Sequence, residues 1–433
     1  MSQSAPVDVV GIGFGPANLG LAIAIEEHNR TPGVQAALSA RFVERKTRFS
    51  WHPGMLLPGA TLQVSFLKDL VTQRNSRSEY SFLNYLSVRG RLSHFINRQD
   101  FFPLRAEFND YLCWAADRVS VPISYGTEVT SVAWRNGHFE VDAGYGGVIA
   151  ARNVVLGGGL RAKLPAGVQP SARVFHNHQF LQRFAELPTA RHGRYVVVGA
   201  GQSAAEVALH LLDNTDAEIH AVFAKYGYTP ADDSPYANRI FDADAVDEHF
   251  GAEPVWRDRL MSYHRSTNYS AVDADLIAQL YRREYRERVD GRRRLYVHGA
   301  SEIVSLDDRG DEVEVGVAHG LSGTSRTLQA DAVVMATGFE PARIDELLGD
   351  DLAGSAHLDD HGRPVLDRQY RLSTDEHIRG QIFVQGNSEH THGLSSTLLS
   401  NIAIRSGEIT ATLAATRMTG DPRPDSLATA SAG

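Results

Sequence analysis

Two short glycine patterns carry the first chemistry in this chain. VVGIGFGPANLGLAIAI (9–25) and VVVGAGQSAAEVALHLL (196–212) each read as strand, Gly-x-Gly, helix. A helix N-terminus presents unpaired backbone N–H groups and the positive end of its dipole, which favours phosphate. Glycines let the backbone turn tightly and approach a pyrophosphate. In the first loop Gly11 and Gly13 take the first two places; Pro16, after Gly15, takes the third. Proline is tolerated in a first helical turn because its missing N–H had no helical partner. Glu44 ends the next strand, where an acid accepts hydrogen bonds from ribose hydroxyls. The second loop has Gly199, Gly201 and Ala204, and its next strand ends at Lys225 with no acid beside it. A carboxylate there would repel a 2′-phosphate and a cation would attract one, so the second nucleotide reads as NADP(H) rather than NAD(H). The missing acid weighs more than Lys225, for which an exposed surface lysine is the plain alternative.

Two loops imply one resident dinucleotide and one that exchanges. The N-terminal loop reads as the FAD loop, and ATGF (336–339), with Gly338, reads as a strand-and-glycine turn closing back near the flavin. A helix N-terminus near Ser395 is expected to stabilise negative charge on a reduced flavin ring. Disulfide reductases share the two-loop plan but need a cysteine pair, and this chain has one cysteine, Cys113. Oxygen is then the expected electron acceptor, giving a monooxygenase, an oxidase or a plain reductase. A Baeyer–Villiger enzyme should show Phe-x-Gly-x-x-x-His-x-x-x-Trp before the second loop; VFHNHQFLQRF (174–184) lacks the Gly and the Trp. The eighteen histidines show no metal spacing such as HExxH, and no metal is expected.

The elements that must position these residues follow from the apolar pattern. Strands are expected at 7–12, 40–46, 153–160, 195–198, 217–225, 331–341 and 381–387. Helices are expected after each glycine loop, at 106–119, at 273–289 with an Asp273 cap, and at 395–418. Residues 51–105 read as a long irregular insertion, of the kind that carries function. The fold class expected is α/β: two Rossmann-like dinucleotide-binding domains plus a smaller, mostly helical substrate-binding region. The FAD-binding domain takes residues 1–165 and 331–418, and the NADPH-binding domain takes 166–330, with the substrate insertion at about 229–300. A disordered tail is expected at 419–433. Hydrophobic residues make up 42% of the 433 and the formal charge is −9. No apolar run approaches the ~18 residues that span a bilayer. The N-terminus has no basic region of a signal peptide. The one dense basic stretch, 282–296, is interrupted by Glu284, Glu287 and Asp290, as a solvated helix face would be. A soluble cytoplasmic protein with no nucleic-acid or membrane partner is expected.

The motifs GFGPANL, WHPGMLLPGATLQVSFLKDLVTQRNSRSEYSFLNYL, FFPLRAEFNDYL, DDSPYANRIF, TNYSAVDADLI, ATGFEP and HGLSSTLLS lie between Val7 and about Leu413. Together they resemble the microbial N-hydroxylating flavin monooxygenases, above all the L-ornithine N5-monooxygenase branch of siderophore biosynthesis. The resemblance implies reduction by NADPH, reaction with O2 at flavin C4a, and transfer of the distal oxygen of the hydroperoxide to the substrate's terminal amine. Lysine or a diamine as substrate, and a plain NADPH oxidase making H2O2, are the alternatives. It implies that Lys68 pairs with the substrate carboxylate and that Asn238 and Asn268 hold the amino acid. Ser400 is implied near the reacting amine. Gln63 is implied beside flavin and nicotinamide, and His52 and Leu398 near the flavin. Gln202, Ser203 and Tyr269 are implied at NADP. Relatives of this kind are often homotetramers. Two departures stand out: Ser396 occupies a place where relatives often carry an acid, and AKYGYTPADD lacks the arginine that some use for NADP. The attacking amine must be neutral, yet with a pKa near ~10.4 only about one alkyl ammonium in several hundred is neutral near pH 8. A dry pocket without a carboxylate beside the amine raises that fraction.

Overall fold

The computed structural model describes residues 5–188 and 190–419; the tail expected to be disordered lies, from 420 onward, outside the described residues. Two large sheets, one mixed and one parallel, organise the chain, as the alternating strand–helix pattern leads one to expect. The first has the order Ile123–Ser124, Ala40–Val43, Val7–Ile12, Val148–Leu156, His138–Asp142, Ser131–Arg135. Val148–Leu156 is long enough to serve two neighbours on one side. Its first half pairs antiparallel with His138–Asp142 and its second half parallel with Ile382–Val384. The chain therefore returns to its first sheet about 370 residues after leaving Val7–Ile12. The second sheet is wholly parallel, in the order Leu295–His298, Glu218–Val222, Arg194–Val198, Ala332–Met335, Val174–His176.

Both glycine loops open at the carboxyl ends of these strands, where open α/β sheets bind ligands. The helix Pro16–Arg30 buries Asn18 through Glu26 without a break. It lies against the helix Ile402–Thr419, and a methyl at Gly20 would sit 2.6 Å from Ile402 Cγ2. A three-stranded antiparallel sheet, Ser301–Asp308, Val313–His319 and Ser325–Ala330, packs Val313, Val315, Val317 and Leu328 against Val196, Val222 and Val333 of the second sheet. Leu160–Ala162 pairs antiparallel with Phe339–Pro341, so the two segments passing between the sheets hold each other.

Several expectations are corrected. The stretch read as irregular holds two helices, Phe82–Val88 and Leu92–Asn97. They close an aromatic cluster in which Phe82, Phe95, Phe108 and Tyr111 lie 5.1–5.6 Å apart in successive ring pairs. The strand expected at 153–160 runs Val148–Leu156 and breaks at the glycines. The closing helix begins at Ile402, not Ser395. Leu394–Thr397 and Leu399–Asn401 form separate 3₁₀ turns around an extended Leu398. Asn401 donates to Ser395 Oγ at 2.9 Å, a local bond that competes with helix. A full helix N-terminus near Ser395 is thus absent. Between 229 and 300 the structure has the helices Ala243–Gly251, Pro254–His264 and Ala274–Val289.

Candidate active site

One cleft of about 3730 Å³ runs between the two large sheets. A site for a single small molecule occupies about 300–1,000 Å³, so this one has room for more than one large ligand. Gly13 has φ +79°, and a Cβ there would lie 2.5 Å from Gly157 O. Gly199 has φ +135°, and its Cβ would lie 2.2 Å from Ala336 O. At both positions only glycine lets the loop fold under the next strand. The helices that follow, Pro16–Arg30 and Gln202–Asn214, start at Gly15 and Gly201 with no side-chain cap. Their first-turn N–H groups are left for other acceptors, and phosphate oxygens are what such termini bind. The donor set at both loops therefore fits a dinucleotide.

Glu44 stands at the rim of the first loop. Its Oε2 accepts from Phe14 N–H at 2.7 Å and its Oε1 from Lys46 N–H at 2.8 Å. Each oxygen keeps a lone pair for a further donor. Gly11 does not line the cleft; it serves packing, since a Cβ there would strike the Phe42 ring at 2.3 Å. Lys225 is also outside the lining, with its ammonium donating to Thr229 Oγ1 at 2.9 Å and Ser270 O at 2.8 Å.

Gly15, Pro16, His52, Gln63, Lys68, Ser203, Asn238, Asn268, Tyr269, Gly338, Leu398 and Ser400 all line the cleft. Lys68 is half-buried and makes no ion pair with any described carboxylate. Asn238 donates to Asp233 O at 2.9 Å, which leaves its carbonyl oxygen toward other partners. Tyr269 donates its hydroxyl to Glu389, whose pKa burial pushes up from the usual carboxylate range. Ser400 is buried, and Ser396 presents a buried hydroxyl with no partner among the described residues.

His52 holds a left-handed backbone, φ 46°, at the start of the turn Pro53–Met55. The residue is exposed within the open cleft that it lines. Desolvation by the surrounding cleft walls, with Arg105 and Lys46 adding to it, pulls the imidazole down to about 4. His176 donates its Nε2–H to Gly338 O at 2.8 Å, and Phe339 sits edge-on to both His176 and His52. The turn read as ATGF is therefore where the two sheets meet the cleft.

Sequence reading missed a polar network beneath it. Arg105 donates to both oxygens of Glu206 at 2.8 Å, with side chains 13% and 7% exposed. Gln202 donates to Glu206 at 3.0 Å and to Asp273 at 2.8 Å, and Gln63 donates to Asp273 at 2.8 Å. Asp273, read as a cap, makes no side-chain cap bond. Arg405 was missed too. It is 3% exposed, lies in the first turn of Ile402–Thr419, and makes no ion pair with any described carboxylate. It donates to Ser396 O at 2.7 Å and to Gln385 at 3.2 Å; Gln385 donates to Asn18, and Asn18 to Gly13 O. One signal was available for Glu206 and Arg405: a lone charge inside an apolar helical run is rarely buried without a purpose.

The L-lysine 6-monooxygenase/L-ornithine 5-monooxygenase family model matches residues 5–341. An L-ornithine N(5)-monooxygenase of Pseudomonas aeruginosa is 36% identical over 94% of this chain and 93% of its own. The solved ornithine N-hydroxylase of Kutzneria sp. 744, holding reduced FAD, NADP+ and L-ornithine, superposes with TM-score 0.90 at 44% identity, over 94% of this chain and 99% of that one. An L-lysine 6-monooxygenase of Pseudomonas syringae gives TM-score 0.81 at 33% identity, over 94% and 99%. Two glycine cradles, one cleft and these matches agree, and the chain belongs to the L-lysine 6-monooxygenase/L-ornithine 5-monooxygenase family.

Proposed function

We propose that this chain is an FAD-dependent L-ornithine N5-monooxygenase that consumes NADPH and O2. The observation that carries the reading is Lys68, a cation without a described counter-ion, lining the cleft that both nucleotide cradles share. Leaving a charge half-buried and unpaired costs free energy unless a ligand's carboxylate completes it. An amino acid does so; a diamine does not. Relatives 34–44% identical that act on ornithine support the same choice.

Bound FAD supplies the activation of dioxygen, with two electrons drawn from NADPH. One oxygen atom ends on the amine nitrogen, the other leaves as water, and NADPH becomes NADP+. The chain's own residues do the rest. The Gly13–Gly15 loop with Glu44 seats the first nucleotide, and the Gly199–Gly201 loop with Gln202 and Ser203 seats the second. Asn238 and Asn268 orient the substrate by amide contacts, which do not lock its amine as ammonium the way a carboxylate would. Ser400, buried at the turn before Ile402, stands at the reacting amine. Tyr269, whose hydroxyl is held by the Glu389 carboxylate, contacts the second nucleotide.

The product class, a hydroxylated ornithine, suits hydroxamate siderophore or related assembly in the cytoplasm. Among the described residues no helix is long and apolar enough to cross a membrane. A homotetramer is the proposed assembly, and Pro254–His264, which buries none of its side chains and exposes Val255, Trp256 and Tyr263, offers an apolar surface for contact with another copy. The test is NADPH-dependent hydroxylamine formation across ornithine, lysine, putrescine and cadaverine. Ornithine should exceed the others; a diamine turning over as well as ornithine overturns the assignment.

A further inference from the structure

Asp273 touches two of the glutamines that line the cleft, Gln63 and Gln202. Its Oδ1 accepts from Gln63 Nε2 at 2.8 Å and its Oδ2 from Gln202 Nε2 at 2.8 Å. Its backbone N–H donates to Gln202 Oε1 at 2.9 Å, and Gln202 Nε2 also reaches Glu206 at 3.0 Å. An amide that turns over exchanges a donor for an acceptor, so these bonds decide which atom each glutamine offers a ligand. Gln202 is committed at both ends. Gln63 is committed through Nε2 alone, and its carbonyl oxygen has no partner among the described residues.

We propose that Asp273 is a positioning residue: it aims the Gln63 carbonyl oxygen into the cleft as an acceptor and ties that aim to the seat of the second nucleotide at Gln202. The proposal rests on the NADPH reading of the second loop. A carboxylate is the group that accepts on both oxygens. Asparagine at 273 would set its own NH2 against one glutamine NH2. Turning Gln202 would break three hydrogen bonds and turning Gln63 only one, so Gln63 turns and presents a donor where an acceptor stood. A ligand N–H buried against it then loses its partner, a loss of about 10-fold in affinity.

The experiment is NADP+ titration of the FAD-loaded full chain, read from the flavin absorbance difference, with no amine present. Wild type, D273N, Q63A and the Q63A/D273N pair are compared, with FAD content and thermal midpoint as controls. D273N and Q63A should each weaken NADP+ by about 10-fold, and the double variant should be no weaker than either. D273E, which keeps two accepting oxygens, should restore most of the affinity. Unchanged binding in D273N, or effects that multiply in the double variant, overturns the proposal. Should D273N fail to fold, Gln63→Met decides: NADP+ affinity equal to wild type overturns it. No NADP+-induced change in wild type overturns the nucleotide reading, and this proposal with it. Because ornithine is absent throughout, the outcome stands apart from the choice of substrate.

Discussion

Arg105 and Glu206 form a two-pronged, nearly buried ion pair that bridges the two halves of the molecule. Arg105 opens the helix Arg105–Ala116, which packs on the first sheet's side; Glu206 sits in Gln202–Asn214, the helix of the second glycine loop. Arg105 also donates to Met55 O at 3.0 Å, so it pins the His52 turn as well. Breaking such a pair leaves one buried charge uncompensated, at a cost of about 3–5 kcal/mol. Glu206→Ala should therefore lower stability by about 3 kcal/mol or more, while Arg105→Met with Glu206→Met should cost clearly less than that. Urea unfolding of the three chains measures this, and equal losses for single and double variants would refute it.

Lys68 is the residue proposed to pair with the substrate's carboxylate. Removing one partner of a desolvated charge pair costs about 2–5 kcal/mol, or roughly 30-fold and upward in kcat/KM. Lys68→Met should lose that factor with ornithine and change little with putrescine. NADPH oxidation without any amine should keep its rate, and a matching loss there would place Lys68 in the nucleotide site instead.

Arg405 connects the Ser396 turn to Gly13 through Gln385 and Asn18. A cation in the first turn of a helix works against the helix dipole, and burial pulls its pKa down from the usual guanidinium value. An anionic or oxygen-rich ligand on the first loop offsets both penalties. Arg405→Gln should weaken FAD binding to the apoprotein by about 10-fold or more, with Arg405→Lys intermediate. Fluorescence quenching of FAD on reconstitution reads it; wild-type affinity in both variants would remove Arg405 from the site.

Acid should destabilise the fold through its buried histidines. Burial lowers His176, His220, His249 and His298 to about 4 and His392 to about 3. Above about pH 6.5 both folded and unfolded chains keep these rings neutral. Between 6.5 and about 4 the unfolded chain takes up protons and the folded one does not, so stability falls as pH falls. Each ring adds up to about 1.4 kcal/mol per pH unit to that slope. His220 and His298 face each other at 2.9 Å, with Glu218, Arg194, Arg293 and Arg326 around them. His220→Gln should flatten the dependence of the thermal midpoint between pH 6.5 and 5. An unaltered slope would show that His220 titrates alike in both states.

Both glycine loops were legible because their signal is local: an apolar strand, two glycines and a helix within about 17 residues. The network was not. Gln63 and Asp273 lie 210 positions apart, and no periodicity links them. Asp273 read as a cap because aspartate before a helix usually is one; here two glutamines outbid the helix for its carboxylate. Ser395 read as a helix start because the apolar spacing continues through Leu398 and Leu399. The Asn401–Ser395 bond and the extended Leu398 interrupt it. Lys225 read as a phosphate ligand from its place at a strand end, and only tertiary folding brought Thr229 and Ser270 to its ammonium.

The proposed activity of this cleft is NADPH oxidation coupled to oxygen transfer onto the δ-nitrogen of ornithine. It is tested most directly by counting NADPH consumed, hydroxylated ornithine formed and H2O2 released in one reaction vessel with purified, FAD-loaded protein. With ornithine present, product should account for most of the NADPH, and peroxide should dominate only when the amine is withheld. Peroxide equal to NADPH whether or not ornithine, lysine or a diamine is supplied would contradict the account.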